Sequence, residues 1–168
     1  LKSDGSLWAM GSNNSGELGD GTDPVGGPQP GATYRKTRPV RVVPNGVKAI
    51  TAGMAYSLFI RNDGSLWAMG QNTSGKLGDG TSNRRNVPVQ VVPSGVVAVA
   101  TGFEHTLFVK DDGTLWGMGN SDNGRMGNVG GGGHQQNPIQ VSGVAGVVNV
   151  AAGYDHSLFL KSDGTLWA

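Results

Sequence analysis

The 168-residue sequence predicts an all-β chain: a β-propeller segment of four-stranded antiparallel blades, with about three blades present as an open arc or partial ring. Three observations carry that expectation. The string LKSDGTLWA at residues 160–168 has near copies at 1–9 (LKSDGSLWA), 60–68 (IRNDGSLWA) and 109–117 (VKDDGTLWG). Its tryptophans, Trp8, Trp67, Trp116 and Trp167, stand 59, 49 and 51 residues apart, a repeat of blade size. Both faces of the repeated element are apolar, which requires cover on both sides by neighbouring sheets.

An Asp-Gly pair between two apolar runs is a strong hairpin signal, because a two-residue type I′ turn needs positive φ at both central positions. Such turns are predicted at Asp4-Gly5, Asp63-Gly64, Asp112-Gly113 and Asp163-Gly164, with Trp67 and Trp116 largely buried. A two-residue turn puts Leu158, Leu160 and Trp167 on one face, and Phe159, Leu166 and Ala168 on the other.

After each Trp the strand ends at Gly11, Gly70 or Gly119, and a polar loop follows: SNNSGELGDGT, QNTSGKLGDGT or NSDNGRMGNVG. Its one recurrent apolar position, Leu18, Leu77 or Met126, is predicted to plug the gap between adjacent sheets. A phosphate cradle would need a helix start after the glycines, and no helical periodicity follows. Asn13 and Asn72 fit the glycosylation sequon, but inside a repeat motif this reads as coincidence.

Next comes an alternating strand headed by Pro39, Pro88 or Pro138. Proline donates nothing to a ladder, so this is the predicted outermost strand, with Arg41, Gln90 and Gln140 toward solvent. The connection before it is longest in the first copy, where residues 23–30 and the basic cluster Tyr34, Arg35, Lys36 and Arg38 read as a surface loop. Strands of small and β-branched residues follow at 47–52, 96–101 and 147–152, suited to a crowded axis. Each ends in a tight turn: Gly53-Met54-Ala55-Tyr56, Gly102-Phe103-Glu104-His105 or Gly153-Tyr154-Asp155-His156. Residues 1–168 thus form one propeller segment, divided into a partial blade with a long loop (1–46), two repeats (47–95 and 96–146) and a partial repeat (147–168). An all-β solenoid is the alternative, disfavoured because its coils are shorter.

Thirteen basic against twelve acidic residues give a net charge of +1, which supplies no general field for nucleic acid or an anionic membrane. The absence of cysteine removes disulfides, thiolate catalysis and cysteine zinc sites. No apolar run approaches the roughly 20 residues of a spanning helix.

The motifs Gly-x-x-His-[Ser/Thr]-Leu at Gly102 and Gly153, the Asp-Gly hairpins, the Trp-x-x-Gly strands and Asn-x-x-Gly-x-Leu-Gly together resemble the regulator of chromosome condensation repeats, over almost the whole chain. Tyr56 departs from the pattern where the other copies carry His105 and His156, as does the glycine-rich stretch at 130–133. The wording Asp-Gly-x-Leu-Trp-Ala-Met-Gly is similar to the bacterial repeats. The resemblance implies a propeller whose eponymous relative promotes nucleotide exchange on a small GTPase, and another relative of this architecture that inhibits β-lactamases. Many bacterial relatives are secreted or on the surface, which tilts localisation outward without fixing it.

Candidate chemistry is sparse. His105 and His156 occupy equivalent positions, which argues for a structural hydrogen bond to backbone, and His134 stands apart. Ser57, Thr106 and Ser157 also follow the repeat, spreading hydroxyls around a ring instead of gathering a triad. Neither a metal nor a cofactor is called for. Met54, Phe103 and Tyr154 sit at the variable place of successive tight turns, with Glu104 and Asp155 alongside. They are the predicted partner-binding residues, because aromatic side chains anchor interfaces. Tyr34, Arg35, Lys36 and Arg38, with Arg84 and Arg85 in the next copy, form a second, basic surface.

The favoured reading is therefore a non-enzymatic protein-interaction module with an unidentified protein partner; nucleic acid is disfavoured. The alternatives are an exchange or regulatory factor for a small GTPase, and a secreted inhibitor or polysaccharide-acting protein. Three blades do not close a ring. The sequence accordingly predicts either an excerpt of a longer propeller or self-association that completes one.

Overall fold

The computed structural model describes residues 1–22, 34–127 and 132–168. Four antiparallel sheets follow one another along the chain. The first pairs β1 (Leu7–Ser12) with β2 (Arg35–Val43). The second runs in order β3 (Val47–Gly53), β4 (Tyr56–Arg61), β5 (Leu66–Gly70) and β6 (Arg85–Val92). The third repeats it with β7 (Val96–Thr101), β8 (His105–Lys110), β9 (Leu115–Asn120) and β10 (His134–Gln140). The fourth holds β11 (Val147–Ala152), β12 (Ser157–Lys161) and β13 (Leu166–Trp167).

The core lies between sheets. Tyr56, Leu58 and Ile60 project from one face of β4 against Phe108 and Met118 of the third sheet, while Phe59 on the other face joins Leu7, Val43 and Val47. Leu107, Leu115 and Met126 meet Val147 and Phe159 in the same way. The two-sided apolar hairpin is thus covered by its neighbours on both sides, as expected of blades. The plug residues Leu18, Leu77 and Met126 are all buried. β2, β6 and β10 form the outer edges, with Arg41, Gln90 and Gln140 exposed. The inner strands β3 and β7 are tied by a 2.8 Å hydrogen bond between the hydroxyls of Thr51 and Thr101.

The hairpin loops correct the sequence reading. In the second sheet Gly64 N–H donates to the carbonyl of Arg61 and Arg61 N–H to that of Ser65, a three-residue loop in which only Gly64 has positive φ, +78°. This is a type I turn closed by a glycine bulge, not a two-residue type I′ turn. The extra residue shifts the register by one, so that Phe59 pairs Trp67 and Phe159 pairs Trp167. The predicted face assignment is therefore overturned: Phe159 shares a face with Trp167, and Leu160 with Leu166.

The same loop explains the motif Asp-Gly-[Ser/Thr]-Leu-Trp. Asp63 accepts hydrogen bonds from both the backbone N–H and the hydroxyl of Ser65, and Ser65 Oγ accepts one from the indole of Trp67 at 2.9 Å. The Ser65 hydroxyl and amide hold the Asp63 carboxyl below its ordinary range. Trp67 and Trp116 are largely but not fully buried, as expected. Each stacks on Phe59 or Phe108 and lies under a cation, Arg61 or Lys110. Next-blade contacts are made at the loop too, where Val47, Val96 and Val147 donate their N–H to the carbonyls of Gly5, Gly64 and Gly113.

Residues 23–30 of the first long connection lie outside the described residues, as do 130 and 131 of the glycine-rich stretch. No helix among the described residues is long and apolar enough to cross a membrane.

Candidate functional site: the loop-bearing mouth of the arc

The turns between β3 and β4, β7 and β8, and β11 and β12 lie side by side. Each carries a ring folded back over its own glycine. A Cβ built on Gly53, Gly102 or Gly153 would stand 2.3, 2.2 or 2.2 Å from the ring of Tyr56, His105 or His156. Glycine is required because the ring occupies that space, which is the physical content of Gly-x-x-[His/Tyr].

The rings of Tyr56 and His105 reach toward the following blade. Tyr56 donates its hydroxyl to the carbonyls of His105 (2.6 Å) and Gly102 (3.1 Å), and burial pushes its phenol far up. His105 Nε2 lies 3.0 Å from Ser157 Oγ. The expected histidine bond to backbone is thus corrected to a side-chain bond across the blade interface. Ser157 donates its only proton to the carbonyl of Arg125, so His105 is the donor, and its buried Nδ1 has no hydrogen-bond partner. The direction is opposite to that of a nucleophile and its base. Burial, then the positive charges of Arg125 and His156, lower the His105 pKa to about 4, against the opposing effect of Asp155.

The hydroxyls of this motif fasten each blade to the loop before it. Ser57, Thr106 and Ser157 donate to the carbonyls of Glu17, Lys76 and Arg125. Beside them lie two ion pairs that the sequence reading missed. Lys76 is fully buried and its ammonium reaches Glu104 Oε1 at 3.1 Å, Gln71 Oε1 at 2.9 Å and the carbonyl of Phe103 at 3.3 Å. Glu104 also accepts from Ser74 Oγ. Burial lowers the Lys76 pKa, with Glu104 opposing the shift. Arg125 meets Asp155 at 3.0 Å in the equivalent position. The signal is present in two of the aligned repeats as opposite signs at matching motif positions, Lys76 with Glu104 and Arg125 with Asp155.

The five predicted mouth residues therefore divide. Glu104 and Asp155 are engaged by buried cations of the preceding loop. Met54 and Tyr154 project, 60% and 62% exposed, and Phe103 is half-buried with its ring stacked on Tyr154 at 4.1 Å between centroids. Gly53, Gly102, Gly153, Ala52 and Ala152 floor a shallow depression between them. The result is an apolar, aromatic surface whose neighbouring charges are neutralised from within.

The six residues of the basic surface divide as well. Lys36 pairs with Asp20 at 3.0 Å and Arg85 with Asp79, each closing the polar loop of its own repeat. In those loops Asn13 and Asn72 are buried. Their amides donate to Asp20 and Asp79, and their carbonyls accept the N–H of Leu18 and Leu77. The sequon match is structural. Arg35 and Arg38 are exposed, whereas Tyr34 and Arg84 are half-buried. His134 opens β10 at the surface. No group of three or more potential metal ligands gathers among the described residues.

Comparison with solved structures places this architecture. Human WBSCR16 is 26% identical, with a TM-score of 0.83 over 98% of this chain and 42% of its own. Prp20p from Saccharomyces cerevisiae, described with its binding properties to Gsp1p and histones, is 22% identical with a TM-score of 0.79, over 95% of this chain and 40% of its own. Yeast RCC1 (Prp20) in complex with Kap60 gives 22% and 0.76, over 96% and 39%. The chain thus spans about two fifths of the length of these propellers. No curated protein matches it in sequence. The model of the regulator of chromosome condensation (RCC1) repeat matches residues 63–109 and 112–160, and a second model of that description matches 96–125. These matches cover more than half of the sequence and the repeated motifs explained above, and the chain belongs to the regulator of chromosome condensation (RCC1) repeat family.

Proposed function

We propose that this chain is a non-enzymatic protein-interaction module whose partner docks on the mouth through Met54, Phe103 and Tyr154. The observation that supports it is the pairing of large exposed side chains with a glycine and alanine floor, where nearby charges are already neutralised. An aromatic pair held by stacking offers contact area with little rotamer entropy to lose. The family resemblance supports the same class of activity, since Prp20p is described with protein partners.

The test compares the wild type with Phe103→Ala/Tyr154→Ala as immobilised baits, identifies retained proteins by quantitative mass spectrometry, and measures their affinity directly. The double variant is expected to lose at least tenfold in affinity while its melting temperature stays within a few degrees. A strongly destabilised variant would show that the aromatics serve as core cover, and equal retention by both baits would move the interface elsewhere.

A further inference from the structure

The outer strand β2 carries two cations that its repeats lack, Arg38 and Arg41, beside Arg35, whose counterpart in the next copy is Arg84. Arg35, Arg38 and Arg41 are exposed along it, and among the described residues no hydrogen bond, ion pair or ring contact engages their side chains. Register places Arg41 opposite Trp8 and Arg35 opposite Ser12. Trp8 and Ser12 stand on either side of the register irregularity, where Gly11 has a φ of +106°, so the arginines are set along the rim of β2 with Arg38 in the irregular stretch before Pro39. Lys2, which precedes β1, lies over the Trp8 ring.

Comparison of equivalent positions separates what the blade needs from what this copy adds. Arg38 corresponds to Val87 and Asn137, and Arg41 to Gln90 and Gln140, so neither position demands a cation. The proline and the register irregularity occur in all three copies, and they suffice to blunt the edge strand against pairing. Exposure at these positions is also a property of the rim. Gln90 and Gln140 stay exposed although another sheet precedes theirs. Among the described residues of the preceding loop, Asp20 is taken by Lys36, Thr22 and Asn13, and Glu17 by the N–H of Ser15.

From this placement we infer that the β2 rim is a second docking surface, fitted to an acidic polypeptide segment lying along the strand and held by Arg35, Arg38 and Arg41. Charge complementarity selects the partner. A guanidinium fork matches a carboxylate with two parallel hydrogen bonds. A row of three cations reaches at most about 20 Å along a strand, at roughly 3.3 Å per residue. That suits a short segment with carboxylates about three residues apart. A nucleic acid strand would call on a broader positive field, and a chain of net charge +1 does not supply one. The surface is separate from the mouth, so it stands or falls independently of the partner proposed there.

The experiment is fluorescence anisotropy on the intact chain at low salt. Three labelled probes are compared: a twelve-residue peptide with Glu at every third position, the same peptide with Gln, and single-stranded oligo-dT. The acidic peptide is expected to bind, the Gln peptide at least tenfold more weakly, and the oligonucleotide more weakly than the acidic peptide. Arg35→Gln/Arg38→Val/Arg41→Gln, which borrows residues from the other copies at the last two positions, is expected to lose at least tenfold with an unchanged melting temperature. Phe103→Ala/Tyr154→Ala is expected to bind the acidic peptide as the wild type does. Undiminished binding by the arginine variant, equal binding of the Gln peptide, or no binding of the acidic peptide would overturn the inference. Tighter binding of the oligonucleotide would overturn it in favour of nucleic acid.

Discussion

Replacing Gly102 by alanine isolates the contact on which the Gly-x-x-His turn is built. Gly102 does not have positive φ, so alanine meets no backbone penalty and would by itself stabilise by about 0.4–1 kcal/mol through the unfolded chain. Its Cβ, however, would stand 2.2 Å from Cε1 and 2.5 Å from Nδ1 of His105, and 2.7 Å from the carbonyl oxygen of Gly153. Ordinary carbon contacts lie near 3.5–4.0 Å, so the ring must withdraw by about 1.5 Å. His105 is fully buried, and withdrawal breaks its bond to Ser157. Overpacking costs about 1–3 kcal/mol and the stranded polar groups about 1–3 more, giving a net loss of roughly 3 kcal/mol. For a chain of this size that corresponds to a fall of roughly 6–12 °C in melting temperature. Denaturant unfolding of Gly102→Ala, His105→Ala and the double variant provides the assay. In the His105→Ala background the ring contact is gone and only the 2.7 Å approach to the Gly153 carbonyl remains, so Gly102→Ala is expected to cost clearly less than in the wild type. An equal cost of Gly102→Ala in both backgrounds would refute the reasoning.

His105 also gives the protein an acid limit: the unfolded chain takes up a proton near pH 6.5 and the folded one only near 4, so stability is lost as pH falls through that window. A shift of this size corresponds to about 3 kcal/mol, and His105→Gln should flatten that limb of a pH-dependent unfolding profile. Lys76→Met should leave Glu104 without its buried partner and cost on the order of 2 kcal/mol in denaturant unfolding, whereas Lys76→Met/Glu104→Leu should recover most of the loss. Asp63→Ala should free the Ser65 hydroxyl from its clamp and red-shift tryptophan emission as Trp67 loosens, while Trp116 in the next blade is unaffected; identical spectra would show that Asp63 does not orient the indole.

The blade order, the outer proline strand and the plugs were legible in the sequence because each follows from a local rule: alternation, a missing N–H, one apolar residue in a polar loop. The hairpin register was not. Asp-Gly admits both a two-residue turn and a three-residue loop with a glycine bulge, and the choice rests on which carbonyl Gly64 N–H meets. One residue of difference reversed every face assignment, including that of Phe159 and Trp167. At the mouth, exposure of Met54 and Tyr154 followed from their place in the turn. The engagement of Glu104 did not, since Lys76 lies 28 residues earlier and meets it only once two blades are stacked. The ion pairs of Lys36 and Arg85 were not legible for the same reason: a basic cluster seen in sequence hides which cations close their own loops.

The hydroxyls of Ser57, Thr106 and Ser157 all end on main-chain oxygens, and the residues supplying those oxygens are a glutamate, a lysine and an arginine. A fastening of this kind is blind to the side chain it grips. A gene encoding such units can duplicate or delete one and leave the seam intact, since any newly juxtaposed loop presents the same carbonyl. The side chain at that position is then at liberty to diverge, and charge pairs such as Arg125 with Asp155 can arise afterwards as marks of which neighbours have settled together. Repeat number would drift faster in such a lineage than blade geometry.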